Sequence, residues 1–346
     1  MEVIDMPTVV SKFGGSSTAN AACFRRVLDI VRASPGRRCV VLSAPGIDET
    51  HREKVTAMLE ECWRSRDAGR VGRIAERYGE IAEGLGVKGF YEVAKDEIRR
   101  ALGASRERLL SRGEYLSAKL FSMYGGLEMA DAAQLVRFDG LGRLLYNTTL
   151  ENLARLAERR GPVVVPGFYG ADASGRVHLF PRNGSDITGA LAAAGLGAGL
   201  YENWTDVPGL MTADPAIVPR ARLIPQVSYR QMRALSRAGA QVLHPACLDP
   251  VALSGIPTRL RSTMDPASFG TLIDERVESV AACIVGKKEG ETARITVFGV
   301  NRERILEAIR ETAAQSIQSK DDCSELVVER DLYEATIRHL HRVLIE

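Results

Sequence analysis

No long run of like charge breaks this 346-residue chain, in which 46 Lys and Arg are set against 44 Asp and Glu for a formal net charge of +2. That balance supplies neither the basic tract of a nucleic-acid binder nor the cationic face of a membrane-surface helix, so a small-molecule partner is expected. Long apolar runs are missing as well. The most uniformly nonpolar stretch, Ala190 to Leu200, is mainly alanine and glycine and too short to span a bilayer. Residues 1–10 carry two acids and no basic segment leading into an apolar one, so they do not read as a secretory leader. The six cysteines, at positions 23, 39, 62, 247, 283 and 323, show no C-x-x-C spacing and no dense framework, which suits quiet buried thiols in a cytoplasmic protein. Also lacking after the first strand is G-x-G-x-x-G, which argues against a nicotinamide-dependent dehydrogenase.

What is present is alternation. Residues 7–13, 37–46, 161–170, 199–209 and 255–263 read as strands, and residues 17–33 and 147–161 as capped amphipathic helices, with Asn147 expected as an N-cap. This is the α/β pattern of a largely parallel sheet covered by helices. Residues 53–125 read instead as helix after helix, an insertion. Near residue 275 the style shifts to a small α+β unit, giving a division into 1–275 and 276–346.

Three loops carry chemistry. In "VVSKFGGSST" a strand ends in Lys12, turns on Gly14 and Gly15, and enters a helix, which aims free N–H groups and an ammonium at one point suited to polyphosphate. "PRNGSDITGAL" repeats the design. Its Arg182 offers a planar fork for a carboxylate, and Asp186 in the first helical turn can orient a lysine. "ENWTDVPGLMTADP" ends a strand in Thr205 and Asp206, a plausible rim for a base and ribose.

These loops, with "VVLSAPG", "SRGEYLSAKL", "PGFYG", "GAQVLHP", "GIPTRLRST" and "GTLI", stand in the order found in bacterial aspartate kinases, and the chain resembles that branch of the amino-acid kinase superfamily over residues 8–275. The resemblance implies a three-layer αβα sandwich with a mostly parallel central sheet, followed by a single ACT-like region through which the chain forms a homodimer. It implies transfer of phosphate from ATP, with Mg²⁺, to the side-chain carboxylate of aspartate or a close analogue. Lys12 would reach the transferred group and Asp186 would hold it. Gly14, Gly15, Ser16 and Gly184 would bind phosphates, with Thr205, Asp206 and Met211 around the nucleoside. On the acceptor side the resemblance gives Arg182 to the α-carboxylate and Glu114 to the α-ammonium, with Ser43 and Ser185 beside them. No protein metal cage is expected, because Mg²⁺ keeps waters and phosphate oxygens as ligands.

The sequence also departs from the family. Pro181 and Asn183 flank Arg182 where glycines are usual, and Ala216 and Gln241 replace two cations near the nucleotide phosphates. Two other readings therefore stand beside aspartate phosphorylation: a kinase-fold regulatory or binding subunit with weak or no catalysis, and an amino-acid kinase for another carboxylate. His244 is expected to be structural, and His339 and His341 are poorly spaced for a metal.

Overall fold

The computed structural model describes residues 7–181, 183–240, 243, 245–312, 314–320 and 322–346. Strand β1, Val9–Phe13, runs into a 3-10 helix at Gly15–Thr18, and Asn20 caps α1, Ala21–Arg32, by accepting from the Cys23 N–H. Next come β2 (Arg37–Leu42) and the helices α2 (Val55–Ser65), α3 (Ala68–Gly84), α4 (Phe90–Leu102) and α5 (Arg106–Gly125). They are followed by β3 (Glu128–Met129), α6 (Ala132–Leu135), α7 (Tyr146–Ala154), β4 (Val163–Pro166), β5 (Tyr169–Ala171), β6 (Val177–Leu179), α8 (Gly184–Gly195) and β7 (Leu200–Thr205). The remainder is β8 (Gln226–Val227), α9 (Tyr229–Ala238), α10 (Pro245–Leu253), β9 (Thr258–Ser262), β10 (Thr271–Ile273), β11 (Cys283–Glu289), β12 (Thr292–Phe298), α11 (Arg302–Ala308), β13 (Ser316–Lys320), β14 (Cys323–Glu329) and α12 (Tyr333–Leu344).

One capping expectation fails. Asn147 lies inside the first turn of α7, whose N-cap is Leu145 with no side-chain cap bond. The Leu145 N–H is held by the Arg137 carbonyl, so a backbone bond within the preceding loop sets where this helix begins.

The chain forms two compact units: residues up to Val207 with Asp249–Pro266, and Pro208–Leu248 with Ala267–Glu346. In the first, β3-β4-β2-β1-β7-β9 make a wholly parallel sheet. Alternate strand residues point to opposite faces. Phe13, Val40, Leu42, Val164 and Trp204 share one core with buried residues of α1 to α5, whereas Lys12 and Tyr201 meet α8 at Gly189 on the other face. The result is three layers, helix, sheet and helix.

A buried carboxylate knots four strands of this sheet together. Glu202 of β7 accepts from Ser11 of β1 (2.8 Å), Arg37 of β2 (2.7 and 3.1 Å), Arg261 of β9 (3.0 Å) and the Trp204 indole (3.0 Å). Burial alone would raise its pKa, but these donors outweigh burial and hold it below the ordinary value, so its stabilising effect is present at neutral pH and lost as the pH falls. Truncation to alanine strands two guanidinium groups over the Trp204 ring. Glu202→Ala is expected to cost about 3–5 kcal/mol in urea unfolding, as for other broken buried pairs. A loss within experimental error of zero would show that the arginines find other partners.

In the second unit β8 and β10 pair in parallel, and β11-β12-β14-β13 form an antiparallel sheet. Ile295, Val297, Leu326 and Val328 of that sheet share a core with Ile305 of α11 and Ile337 and Leu340 of α12. Residues 208–248 are tied in by the Ile284 N–H, which donates to the Thr212 carbonyl at 2.8 Å, and by the Thr212 hydroxyl, 2.9 Å from Nε2 of the buried His341. His339 instead faces the Ala308 carbonyl, so the two histidines serve packing.

Cys39 and Cys283 are buried thiols whose pKa burial pushes up to about 12, which keeps them protonated. Among the described residues no helix is long and apolar enough to cross a membrane.

Candidate active site

Parallel register sets Lys12 of β1 directly beside Asn203 of β7, so both side chains leave the sheet on the α8 face. There the Lys12 ammonium lies 2.5 Å from Oδ1 of Asp186, and the Asn203 amide donates to the same oxygen at 2.8 Å. The Tyr201 hydroxyl donates to the Asp186 backbone carbonyl at 3.1 Å. Lys12 is only 7% exposed, so the pair is shielded from bulk water. Asp186 occupies the first turn of α8, where the helix dipole favours a carboxylate. One turn on, Gly189 makes the approach possible, because a Cβ there would lie 2.7 Å from the Tyr201 hydroxyl and 3.0 Å from Cβ of Lys12.

The glycine turn beside Lys12 is less open than the sequence suggests. Gly14 donates its N–H to the Trp204 carbonyl at 3.1 Å, so that amide is committed to the sheet. Ser17 donates back to the Gly14 carbonyl, which leaves the N–H groups of Gly15 and Ser16 as the orphan donors at the start of the 3-10 helix. A Cβ on Gly14 would sit 3.5 Å from the Lys12 ammonium, so ammonium and turn face one another.

Ser43 follows β2, its N–H bonded to the Phe13 carbonyl, and so joins the ends of the two central strands. The neighbouring Ala44 N–H donates to Glu114 of α5. That carboxyl is 4% exposed, and its Oε2 has no protein hydrogen-bond partner. Burial pushes the Glu114 pKa up to about 8 against the backbone bonds that oppose it. An unpartnered buried carboxyl is costly, and a cation is the ligand that offsets the cost.

Gly184 and Ser185 open α8 and are buried. Asn183 precedes them at φ 49°, ψ 35°, the left-handed region that favours glycine and that asparagine tolerates best among other residues. Asparagine is therefore compatible with the conformation seen at this position. Phe168, at φ 79°, is a second left-handed residue here, its N–H bonded to the Thr188 hydroxyl of α8. Arg182, Gln241 and His244 lie outside the described residues.

Thr205 and Asp206 end β7, the Thr205 hydroxyl donating to the Asp206 carboxylate at 3.0 Å. Lys12, Ser43 and Thr205 all lie at or just beyond the carboxyl ends of parallel strands, where open α/β sheets hold their ligands. Met211 belongs to the second unit and bridges to Leu223. Ala216, also in that unit, donates its N–H to Asp214 and contributes no charge. No group of three or more His, Cys, Asp or Glu among the described residues could cage a metal ion.

Sequence reasoning did not single out Asn203, Tyr201, Thr188 or the strain at Phe168. Strand alternation carries a signal for the first two, since Tyr201, Asn203 and Thr205 share one face of β7 with Lys12 opposite.

Comparison with known proteins places these features in company. A model of the amino acid kinase family matches residues 7–262. Aspartokinase 3 of Bacillus subtilis (strain 168) is 35% identical over 298 residues, covering 80% of this chain and 66% of that protein. Lysine-sensitive aspartokinase 3 of Escherichia coli (strain K12) is 33% identical over 300 residues, covering 78% and 65%. The chain thus spans slightly less than two thirds of the length of these relatives. Among solved structures, Clostridium acetobutylicum aspartate kinase aligns with a TM-score of 0.89 at 26% identity, covering 97% of this chain and 99% of that one. Escherichia coli aspartokinase III in complex with aspartate and ADP aligns with a TM-score of 0.69 at 26% identity, covering 97% and 84%.

Proposed function

The chain belongs to the amino acid kinase family, and on that premise we propose that it transfers the γ-phosphoryl group of ATP to the side-chain carboxylate of L-aspartate or a close analogue. The product is an acyl phosphate, 4-phospho-L-aspartate when aspartate is the acceptor. The observation that carries this reading is the Lys12–Asp186 pair at 2.5 Å beside the glycine turn, a positioned cation facing the orphan amides of Gly15 and Ser16. The names of its relatives and the aspartate and ADP bound by the Escherichia coli neighbour supply the substrate class.

In the reaction a β-carboxylate oxygen attacks the γ-phosphorus, the bond to the bridging oxygen breaks, and ADP leaves with its electron pair. No general base is needed, because the attacking carboxylate, with a pKa of about 3.9, is already ionised. Catalysis is then positioning plus charge neutralisation. Lys12 would stabilise the transferring group, with Asp186 and Asn203 fixing its ammonium. Mg²⁺ would arrive on the ATP phosphates, neutralise their charge and keep water ligands. Glu114, through its unpartnered Oε2, would take the substrate ammonium, Arg182 the α-carboxylate, and Ser43 and Ser185 the reacting end. Thr205 and Asp206 would line the nucleoside. We keep residues 1–275 as the catalytic domain and 276–346 as an ACT-like domain. Two copies would pair through the latter, where β11 and β13 are the edges of the small sheet.

The test is chemical. Incubation with ATP, Mg²⁺, aspartate and hydroxylamine should yield a hydroxamate that requires every component, and no hydroxamate with any amino-dicarboxylate from folded protein sinks the reading. Arg182→Ala should raise KM for the amino acid by about 10- to 100-fold, the loss of a charge-assisted bidentate contact, with kcat less affected. A KM within a factor of two of the parent would remove Arg182 from the acceptor site.

A further inference from the structure

The turn that follows β1 and the loop that follows β2 touch backbone to backbone. The Gly46 N–H donates to the Gly15 carbonyl at 2.8 Å, and a Cβ on Gly46 would lie 2.8 Å from the Gly15 carbonyl carbon. The Thr18 hydroxyl sits 3.2 to 3.3 Å from the carbonyls of Gly15, Ser43 and Ala44 and can bond them by turns. One stretch presents the candidate phosphate amides, the other presents Ser43 and contacts Glu114 through Ala44. Their mutual position therefore sets the distance from donor to acceptor.

A side chain from the helical insertion holds both. Arg77 of α3 is 2% exposed and donates to the Ala19 carbonyl just beyond the 3-10 helix (2.6 Å), to the Gly46 carbonyl (3.2 Å) and to the Asp48 carboxylate (3.1 Å). It also meets Nδ1 of His51. The same Nδ1 lies 3.1 Å from the Asp48 carboxylate, and Nε2 of the ring reaches Glu80 of α3 at 2.9 Å. Asp48 in turn accepts from the backbone N–H groups of Thr50 and His51 (3.0 and 2.6 Å). Burial raises the Asp48 pKa, but these bonds and Arg77 outweigh it and bring it down to about 2, so the carboxylate stays charged against the guanidinium.

We propose that Arg77 is a positioning residue for phosphoryl transfer, clamping the loop after β2 onto the glycine turn after β1 so that acceptor and donor meet in line. The proposal rests on the kinase reading given above. A buried guanidinium adds little to stability over an apolar side chain of the same volume, and its Nε lacks a partner, so fixing geometry is the better account of its burial. Each loop keeps its own binding groups without the clamp. The loss should therefore fall on the encounter between substrates and leave the binding of each intact.

The test uses Arg77→Gln and Arg77→Lys in the full chain, with two readouts. In the ATP-dependent hydroxamate assay, Arg77→Gln should lower kcat by about tenfold or more while both KM values stay within about threefold, and Arg77→Lys should recover part of kcat. By hydrogen–deuterium exchange, residues 43–54 and 14–19 should exchange at least about tenfold faster in Arg77→Gln while β7 and α8 keep their protection. A folded Arg77→Gln with parental kcat and parental exchange in both segments overturns the proposal. A lower melting temperature with unchanged kcat does the same, since that is mere stabilisation. Should Arg77→Gln fail to fold, Arg77→Lys carries both measurements, and parental values there overturn the proposal equally. A parent chain that makes no hydroxamate refutes the kinase reading, and the exchange readout still decides whether the clamp exists.

Discussion

Replacing Lys12 by alanine is expected to lower kcat by about 10²-fold or more, the range found when one preorganised donor is removed from a transition state. The ammonium is held before substrate arrives, by Asp186 at 2.5 Å and with Asn203 steering the same carboxylate, so no reorganisation is needed when charge builds on the phosphoryl oxygens. On the proposed placement of ATP, truncation would also leave the Asp186 carboxylate facing the polyphosphate without its cation. That residual anion should raise KM for ATP, and a second change, Asp186→Asn, should relieve the repulsion without restoring kcat. Steady-state rates of ADP release for the parent, Lys12→Ala and the double variant separate the two effects. A Lys12→Ala rate within a few fold of the parent would show that the lysine only braces α8 against the sheet.

The order of strands and helices was legible because it rests on local signals: β-branched runs, glycine turns and helical periodicity. The glycine turn after Lys12 and the first-turn acid of α8 were legible on the same grounds. What the sequence could not show lies in contacts between distant residues. Glu202 joins Ser11 and Arg37, which are 191 and 165 positions away, and no window of sequence contains that knot. Gly14 looked like a free phosphate donor, yet its N–H is taken by the Trp204 carbonyl of the neighbouring strand. Asn183 looked like an intrusion into a glycine loop, until its φ of 49° showed a conformation that asparagine can hold. The Thr212 carbonyl and hydroxyl bind their segment to β11 and α12 of the second unit, contacts that no local signal announces. Arg77 carries no mark of its own in the helical run 53–125, and packing alone shows that it faces inward.

Glu114 gives the largest pH effect. Its carboxyl titrates near 4.5 when unfolded and near 8 in the native chain, because burial disfavours the anion. Below pH 4.5 it is protonated in both states and costs nothing. Between 4.5 and 8 only the unfolded chain is ionised, so folding must take up a proton and stability falls as the pH rises. Above 8 both forms are ionised and the penalty levels off on the order of 5 kcal/mol, at 1.36 kcal/mol per unit of pKa difference. Glu114→Gln, which is neutral throughout, is therefore expected to raise the melting temperature at pH 8 and to leave it unchanged near pH 4.5. On the proposed role of Glu114, binding of the substrate ammonium would run in the opposite sense, since it would need the anion that burial disfavours. In the parent, KM for aspartate should fall about tenfold between pH 6 and pH 7 and flatten as the pH passes 8, while KM for ATP serves as the control. Glu114→Gln should show a KM for aspartate that is flat across this range and about 10- to 100-fold above the parent at pH 8, the loss of one charge-assisted contact. The two profiles should converge towards pH 6, where the parent carboxyl is itself protonated. A parent KM that does not change with pH, or a glutamine variant that binds aspartate as tightly at pH 8, would place the ammonium on some other group and leave Glu114 as a buried acid of α5 alone.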